Sequence, residues 1–197
     1  AQAMRDAYAQ AGVEPAQVQY VETHGTGTMI GDPVEIGALA DVMGPGRDPS
    51  RPLRVASVKG HLGHTESASG VAGLIQACLA IRHRTLPAQM HFETPNPVIP
   101  WDEIPIRVQR ELESWPEPGP ALVGVNSFGI SGTNAHVVLE SPPEPAPRPA
   151  PSPTPRGVVL PISAHHPKAR DEMVRALASR LEGCLLYTSP SPRDRSL

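Results

Sequence analysis

Residues 123–140, VGVNSFGISGTNAHVVLE, set two valine-rich runs around a glycine turn. The runs Ala121–Val125 and Ala135–Leu139 are bounded by Gly, Ser and Asn, the composition of strands. Between them, Asn126 to Asn134 is turn-rich, and Gly129 and Gly132 open backbone conformations that a side chain disfavours. The pattern predicts a β-hairpin with a wide turn. A glycine loop held between two strands aims backbone N–H groups at one point, which is what an oxyanion hole requires. On this stretch alone an ordinary hairpin is the simpler reading, and two histidine segments upstream shift it toward chemistry.

The first is Val18–Thr23, a strand by composition, which runs into His24-Gly25-Thr26-Gly27-Thr28. Asp32-Pro33-Val34-Glu35 then predicts a helix start, with Asp32 at the N-cap, Pro33 at N1 and Glu35 closing a capping box. Ile36, Leu39, Ala40 and Met43 form its apolar stripe, and Gly44-Pro45-Gly46 ends it. The second segment follows a strand over Leu53–Val58 ending in Lys59. Gly60–His64 reads as a turn, and Thr65 as the cap of a long helix from Glu66 to about Arg82. Small residues crowd the start of that helix, as expected where neighbouring backbones approach closely. Cys78, in its apolar part, reads as a small core residue. Ahead of all this, Met4, Ala7, Tyr8 and Ala11 share a face of a helix over Ala1–Ala11, with Gly12 at its C′ position.

His24 ends a strand and His64 stands just before a helix, the positions where a rigid scaffold displays reactive groups. The positive end of a helix disfavours imidazolium, so His64 is expected to be neutral at pH 7 and a hydrogen-bond donor. His61, His64 and Glu66 fall in a turn with no further ligand cluster, so no metal site is expected. Gly25–Gly31 fits neither the dinucleotide nor the phosphate-loop pattern.

Composition bounds the rest. The 197 residues allow one or two domains, and the net charge of −3 excludes nucleic-acid and membrane partners as an expectation. No apolar run reaches membrane-spanning length. Two cysteines in unrelated contexts suit a reducing cytoplasm. The chain opens inside a helical pattern without an initiator Met, which suggests that residues precede it. Residues 85–115 are proline-punctuated and read as an extended surface excursion with a strand near Ile106–Val108. Eight of the 25 prolines fall between Pro142 and Pro155, so residues 141–157 read as a semi-rigid polyproline linker. A new strand over Val158–Ile162 and helical spacing over Pro167–Glu182 suggest the start of another module at 158–183. Residues 184–197, with Cys184, break every earlier pattern. They resemble a translated sequencing adapter and are expected to be a non-native tail.

Three blocks carry a family resemblance: Val21-Glu22-Thr23-His24-Gly25-Thr26-Gly27-Thr28 through Gly31-Asp32-Pro33, Ser57-Val58-Lys59 through Gly63-His64, and Asn126–His136. In order and spacing, residues 1–140 resemble the C-terminal half of a β-ketoacyl synthase (ketosynthase) domain of a modular type I polyketide synthase, and the proline-rich linker with residues 158–183 looks like the start of its ketosynthase-to-acyltransferase linker region. The resemblance implies an α/β, thiolase-like, layered α-β-α-β-α fold, of which this is the C-terminal half only. It implies decarboxylative Claisen condensation, in which the carbanion of a malonyl-type unit on acyl carrier protein attacks a cysteine-bound acyl chain. His24 and His64 match the two catalytic histidines, and Lys59 the lysine that orders them. Thr26 and Thr28 match the threonines that hold the phosphopantetheine arm, and the backbone N–H of Ile130 matches half of the oxyanion hole. No cofactor is bound directly, since substrates arrive on the carrier's phosphopantetheine. The implied partners are acyl carrier protein, a second copy in a homodimer and a neighbouring acyltransferase domain. Neither Cys78 nor Cys184 has the surroundings of the family nucleophile. The chain alone is therefore expected to be inactive, and it is expected to fold poorly because the other half of such a domain would supply much of the core and the usual dimer contacts. The alternatives are a fatty-acid synthase condensing enzyme, against which the proline linker argues, and a non-catalytic carrier-binding or dimerisation module, against which both histidines argue.

Overall fold

The computed structural model describes residues 1–116, 118–129, 131–143 and 160–182. Ile130, most of the proline-rich linker and the tail with Cys184 lie outside the described residues. The chain divides into two units, Ala1–Ala146 and Pro147–Leu197.

In the first unit, α1 (Gln2–Ala11) ends at Gly12, whose φ of +63° is the left-handed conformation that glycine adopts without strain. A 3-10 turn at Pro15–Gln17 leads into β1 (Tyr20–Glu22), α2 (Gly31–Met43), β2 (Leu53–Ala56) and the single-turn α3 (Lys59–Leu62). A second 3-10 turn, Glu66–Ala68, precedes α4 (Ser69–His83). Then come β3 (Thr85–Leu86), β4 (Ile106–Val108), β5 (Glu113–Ser114), β6 (Leu122–Phe128) and β7 (Asn134–Glu140).

Five strands form one sheet in the order β4-β2-β1-β6-β7. β1 is parallel to both β2 and β6, and β2 is parallel to β4. The hairpin expected from residues 121–140 closes the sheet antiparallel, in register from Leu122↔Glu140 to Phe128↔Asn134. Side chains alternate across the sheet, as strand geometry demands. Val21 and Val55 face a core built with Met4, Tyr8, Ile36, Leu39 and Met43 of α1 and α2. Tyr20, Val123 and Val125 face a second core with Ala77, Ala80 and Ile81 of α4. The unit is thus α-β-α, three layers of the implied architecture.

Several local expectations are corrected. Asp32 and Glu35 do not cap α2. Its first N–H, on Gly31, instead donates to Thr28 Oγ1 at 3.0 Å, while Asp32 and Glu35 reach back to the preceding loop. Thr65 makes no capping bond, and the residues after it form a 3-10 turn before α4 begins. Gly60 and His61, expected in a plain turn, lie in α3. The excursion after α4 is not all surface: Leu86, Ile99, Gln109 and Trp115 are buried, and β3 and β5 pair as a small antiparallel sheet. Cys78 is exposed rather than in the core. It sits on the face of α4 that carries Val71, Ile75 and Leu79, all exposed, while the opposite face with Gly73 and Ala77 packs on the sheet.

In the second unit, α5 (Pro167–Glu182) matches the expected helical span. Residues 160–162 carry no strand, so that expectation fails over the described part of Val158–Ile162.

Candidate active site

Three loops leave the carboxyl ends of the adjacent parallel strands β2, β1 and β6, the edge where open α/β sheets place ligands. The loop after β1 carries His24, the turn after β2 carries Lys59 and leads to His64, and β6 ends at Phe128 where its loop begins. Residues far apart in sequence converge because β1 lies between the other two strands.

The rings of His24 and His64 stand edge to face, with centroids 5.7 Å apart. Each imidazole accepts a backbone N–H at Nδ1: His64 from Glu66 at 3.0 Å, and His24 from Phe128 at a longer 3.4 Å. A nitrogen that accepts carries no proton, so each neutral ring holds its proton on Nε2 and offers it as a donor. Burial first, and then the charge of Lys59, pushes the His24 pKa below its ordinary value, which favours the neutral ring. Phe128 packs against His24 at 5.6 Å between centroids.

Two buried carboxylates underlie these groups, and the sequence patterns assigned neither to the site. Glu35 accepts His24 N–H and Gly25 N–H, one on each oxygen, at 2.8 Å, which pins the backbone of the histidine loop. Burial raises its pKa, and those N–H donors with Asn126 oppose the rise. Glu22 is 1% exposed and accepts from Tyr20 Oη, Gln76 Nε2 and the Val58 backbone N–H. It therefore ties β1 to α4 and to the turn that carries Lys59. Lys59 is half-buried. Desolvation lowers its pKa, while the charges of Glu22 and Glu35 act to raise it. The available signal for Glu22 was a charged residue inside an apolar strand, since such groups are buried only with partners.

Burial pushes the Glu22 pKa up to about 7, against the pull of Val58 N–H, Tyr20 and Lys59. The folded chain then retains a proton that the unfolded chain releases from its ordinary value of 4.5 upward. Stability from this group therefore falls as pH rises through that window. Between about pH 5 and 7.5 the wild type is expected to lose about 2 kcal/mol relative to Glu22→Gln, which does not titrate. Urea denaturation of both proteins across that range is the measurement. A constant gap between them would contradict the shift.

Thr26 and Thr28 stand 3.5 Å apart through their hydroxyl oxygens at the mouth of the histidine loop. A cavity of about 540 Å³ adjoins it, lined by Thr26, Gly27, Asp32, Lys59, Gln89 and Phe92 among others, but not by His24 or His64. In the β6–β7 loop, Gly129 N–H donates to Thr133 O at 2.7 Å and Gly132 N–H to Gly129 O at 2.9 Å, so both are spent within the turn. Ile130, the expected oxyanion donor, lies outside the described residues. Among the described residues, no three His, Cys, Asp or Glu side chains gather as metal ligands. No helix among them is long and apolar enough to cross a membrane.

Comparison with known proteins places these features in a family. Residues 1–93 match the family model "Beta-ketoacyl synthase, C-terminal domain", and residues 95–187 match "Ketoacyl-synthetase C-terminal extension". A phenolphthiocerol/phthiocerol polyketide synthase of Mycobacterium tuberculosis is 51% identical over 138 residues, covering 70% of this chain and 7% of that protein. Erythronolide synthase EryA3 of Saccharopolyspora erythraea is 46% identical over 192 residues, covering 97% of this chain and 6% of that protein. The chain thus spans only a small fraction of the length of these relatives. Among solved structures, the ketosynthase from module 6 of the bacillaene synthase of Bacillus subtilis 168 is 41% identical, with a TM-score of 0.65, covering 72% of this chain and 27% of that one. An oxazolomycin ketosynthase domain of Streptomyces albus JA3453 is 35% identical, with a TM-score of 0.67, covering 91% and 32%.

Proposed function

The chain belongs to the β-ketoacyl synthases, as a C-terminal part of a polyketide synthase ketosynthase domain, and we propose that it supplies the enolate-stabilising side of a decarboxylative condensation. The observation that carries this is the pair of imidazoles, each held by a backbone N–H at Nδ1 and each left with a donor at Nε2.

The electrophile is an acyl thioester on a cysteine supplied from outside this chain. Cys78 does not suit that role, because it lies about 14 Å along α4 from the helix start that follows His64. The malonyl-type thioester loses its carboxylate as CO2. The electron pair of the broken C–C bond moves into the thioester, leaving negative charge on its carbonyl oxygen. The Nε2–H groups of His24 and His64 donate to that oxygen where the charge develops, which lowers the barrier most in a site closed to water. The enolate carbon then attacks the acyl carbonyl, the new C–C bond forms, and the cysteine leaves as thiolate. Neutral rings suit this task, since it asks for donors and not for a proton transfer. Lys59 keeps a positive charge beside the pair and lowers the proton affinity of His24.

Thr26 and Thr28 would receive the amides of a phosphopantetheine arm, with Thr28 already fixed by its bond from Gly31 N–H. Acyl carrier protein is thus the proposed partner, with a homodimer and a neighbouring acyltransferase domain as the wider setting. The exposed apolar stripe Val71, Ile75 and Leu79 is where the remainder of the domain would pack.

In the complete synthase, His24→Ala and His64→Ala are each expected to lower condensation by about 10²–10³-fold, the usual cost of one lost donor to a developing oxyanion. CO2 release from the malonyl-carrier substrate and acyl loading of the cysteine are assayed separately. Condensation at the wild-type rate in both variants would sink the proposal.

A further inference from the structure

Behind His24 the buried polar groups form one continuous chain that ends on β7. Glu35, the clasp of the His24–Gly25 backbone, also accepts Asn126 Nδ2–H at 2.8 Å. Asn126 Oδ1 lies 2.7 Å from Nδ1 of His136, its cross-strand partner in the β6–β7 ladder. Hydrogen counting fixes each orientation. All three of Glu35's neighbours bring N–H groups, so it serves as acceptor throughout. Asn126 therefore turns its NH2 toward Glu35 and its oxygen toward His136, and an oxygen needs a donor, so His136 carries its proton on Nδ1. The other ring nitrogen, Nε2, is sealed from solvent and has no partner among the described residues, and the same holds for the hydroxyl of Tyr8 beside it. Burial pushes the His136 pKa down to about 4, which keeps the ring neutral. Gly124 of β6 makes the arrangement possible: a Cβ there would meet Tyr8 Oη at 2.6 Å and His136 Cε1 at 2.7 Å.

We propose that His136 and Asn126 are positioning residues for His24, acting through Glu35 to set the backbone that aims the His24 ring. The chain has one rigid end, the β6–β7 ladder, and one functional end, the His24–Gly25 peptide. Removing the His136 donor frees the Asn126 carboxamide to rotate. Glu35 then loses the bond that holds it against the loop, and His24 Nε2–H no longer points at one place. The role rests on the proposed part of His24 in condensation.

The test is a double-mutant cycle in the complete synthase, with condensation, acyl loading and KM for the carrier-bound substrate read separately. His136→Ala and Asn126→Ala are each expected to slow condensation roughly tenfold while KM and loading stay near wild type. The double variant should be no slower than the worse single one, because both cut the same chain. Tyr8→Phe, which removes a hydroxyl without a partner, should condense at the wild-type rate. If the single losses multiply, or Tyr8→Phe slows condensation equally, the positioning role is overturned. Should His136→Ala not assemble, Asn126→Asp decides: it keeps the shape but sets a carboxylate against Glu35, and full-rate condensation by it overturns the proposal. Unimpaired condensation by His24→Ala would instead overturn the reading of the site itself, so the two failures are separable.

Discussion

Replacing Gly25 by alanine is expected to cost about 4 kcal/mol of stability and to abolish condensation in the complete synthase. Gly25 holds φ at +42°, where a side chain is strained at any available space. There is also no space: a Cβ would stand 2.7 Å from Thr23 Oγ1 and 2.8 Å from Ser57 Cβ. Neither neighbour can yield. The Thr23 hydroxyl donates to Ala56 O at 3.0 Å, and the Ser57 backbone N–H is held by Gln89 Oε1. The loop itself must shift, which breaks the Gly25 N–H bond to Glu35 and moves His24. Gly27, two residues on, gives the control. Its φ is +73° but nothing lies within 4 Å of its virtual Cβ, so Gly27→Ala should cost only the strain, about 1 kcal/mol. Equal losses in the two variants, measured by urea denaturation, would show that the close approach at Gly25 is not what matters.

Glu35→Ala should cost about 5 kcal/mol and also stop condensation. The substitution removes the acceptor of three donors, the half-buried His24 N–H and Gly25 N–H and the buried Asn126 Nδ2–H. Each unsatisfied buried group costs about 1–3 kcal/mol, and the loss of packing adds to that. Asp32, one turn earlier on α2, is the fair comparison. It is half-buried, and the donors to its side chain are the backbone N–H groups of Gly27 and Thr28 in the more exposed part of the loop. Asp32→Ala should therefore cost about 1 kcal/mol. Comparable destabilisation of the two variants would sink the account of Glu35 as the clasp of the histidine loop.

The sequence made the local pieces legible. α1, α5 and the stop of α2 follow from apolar spacing and glycine punctuation, and the β6–β7 hairpin from its valine runs. His24 and His64 were visible as polar residues at element ends. Glu35 shows where local reading stops. Its spacing from Asp32 satisfied a capping box, but the N–H groups of His24 and Gly25 lie in a more buried place and claimed the carboxylate. Glu22, Asn126 and His136 were hidden for the same reason. Their roles depend on β1 lying between β2 and β6, and no local pattern carries strand adjacency. Cys78 erred in the other direction: an apolar helical run marks a surface to be covered, without saying whether this chain covers it.

The central place of β1 also sets the order in which this site can form during folding. β2 reaches β1 through a local crossover, but β6 arrives from far along the chain: Phe128, which donates to the His24 ring, lies 104 positions after it. Contacts of such sequence separation are slow to close, because the loop entropy is spent before any pairing repays it. The His24 loop therefore has to wait, half-built on β2 and α2, until the hairpin docks. Amide protection at Gln19, whose N–H donates to Leu122 O, should then appear late, after that of Thr23, whose N–H donates to Ala56 O of β2.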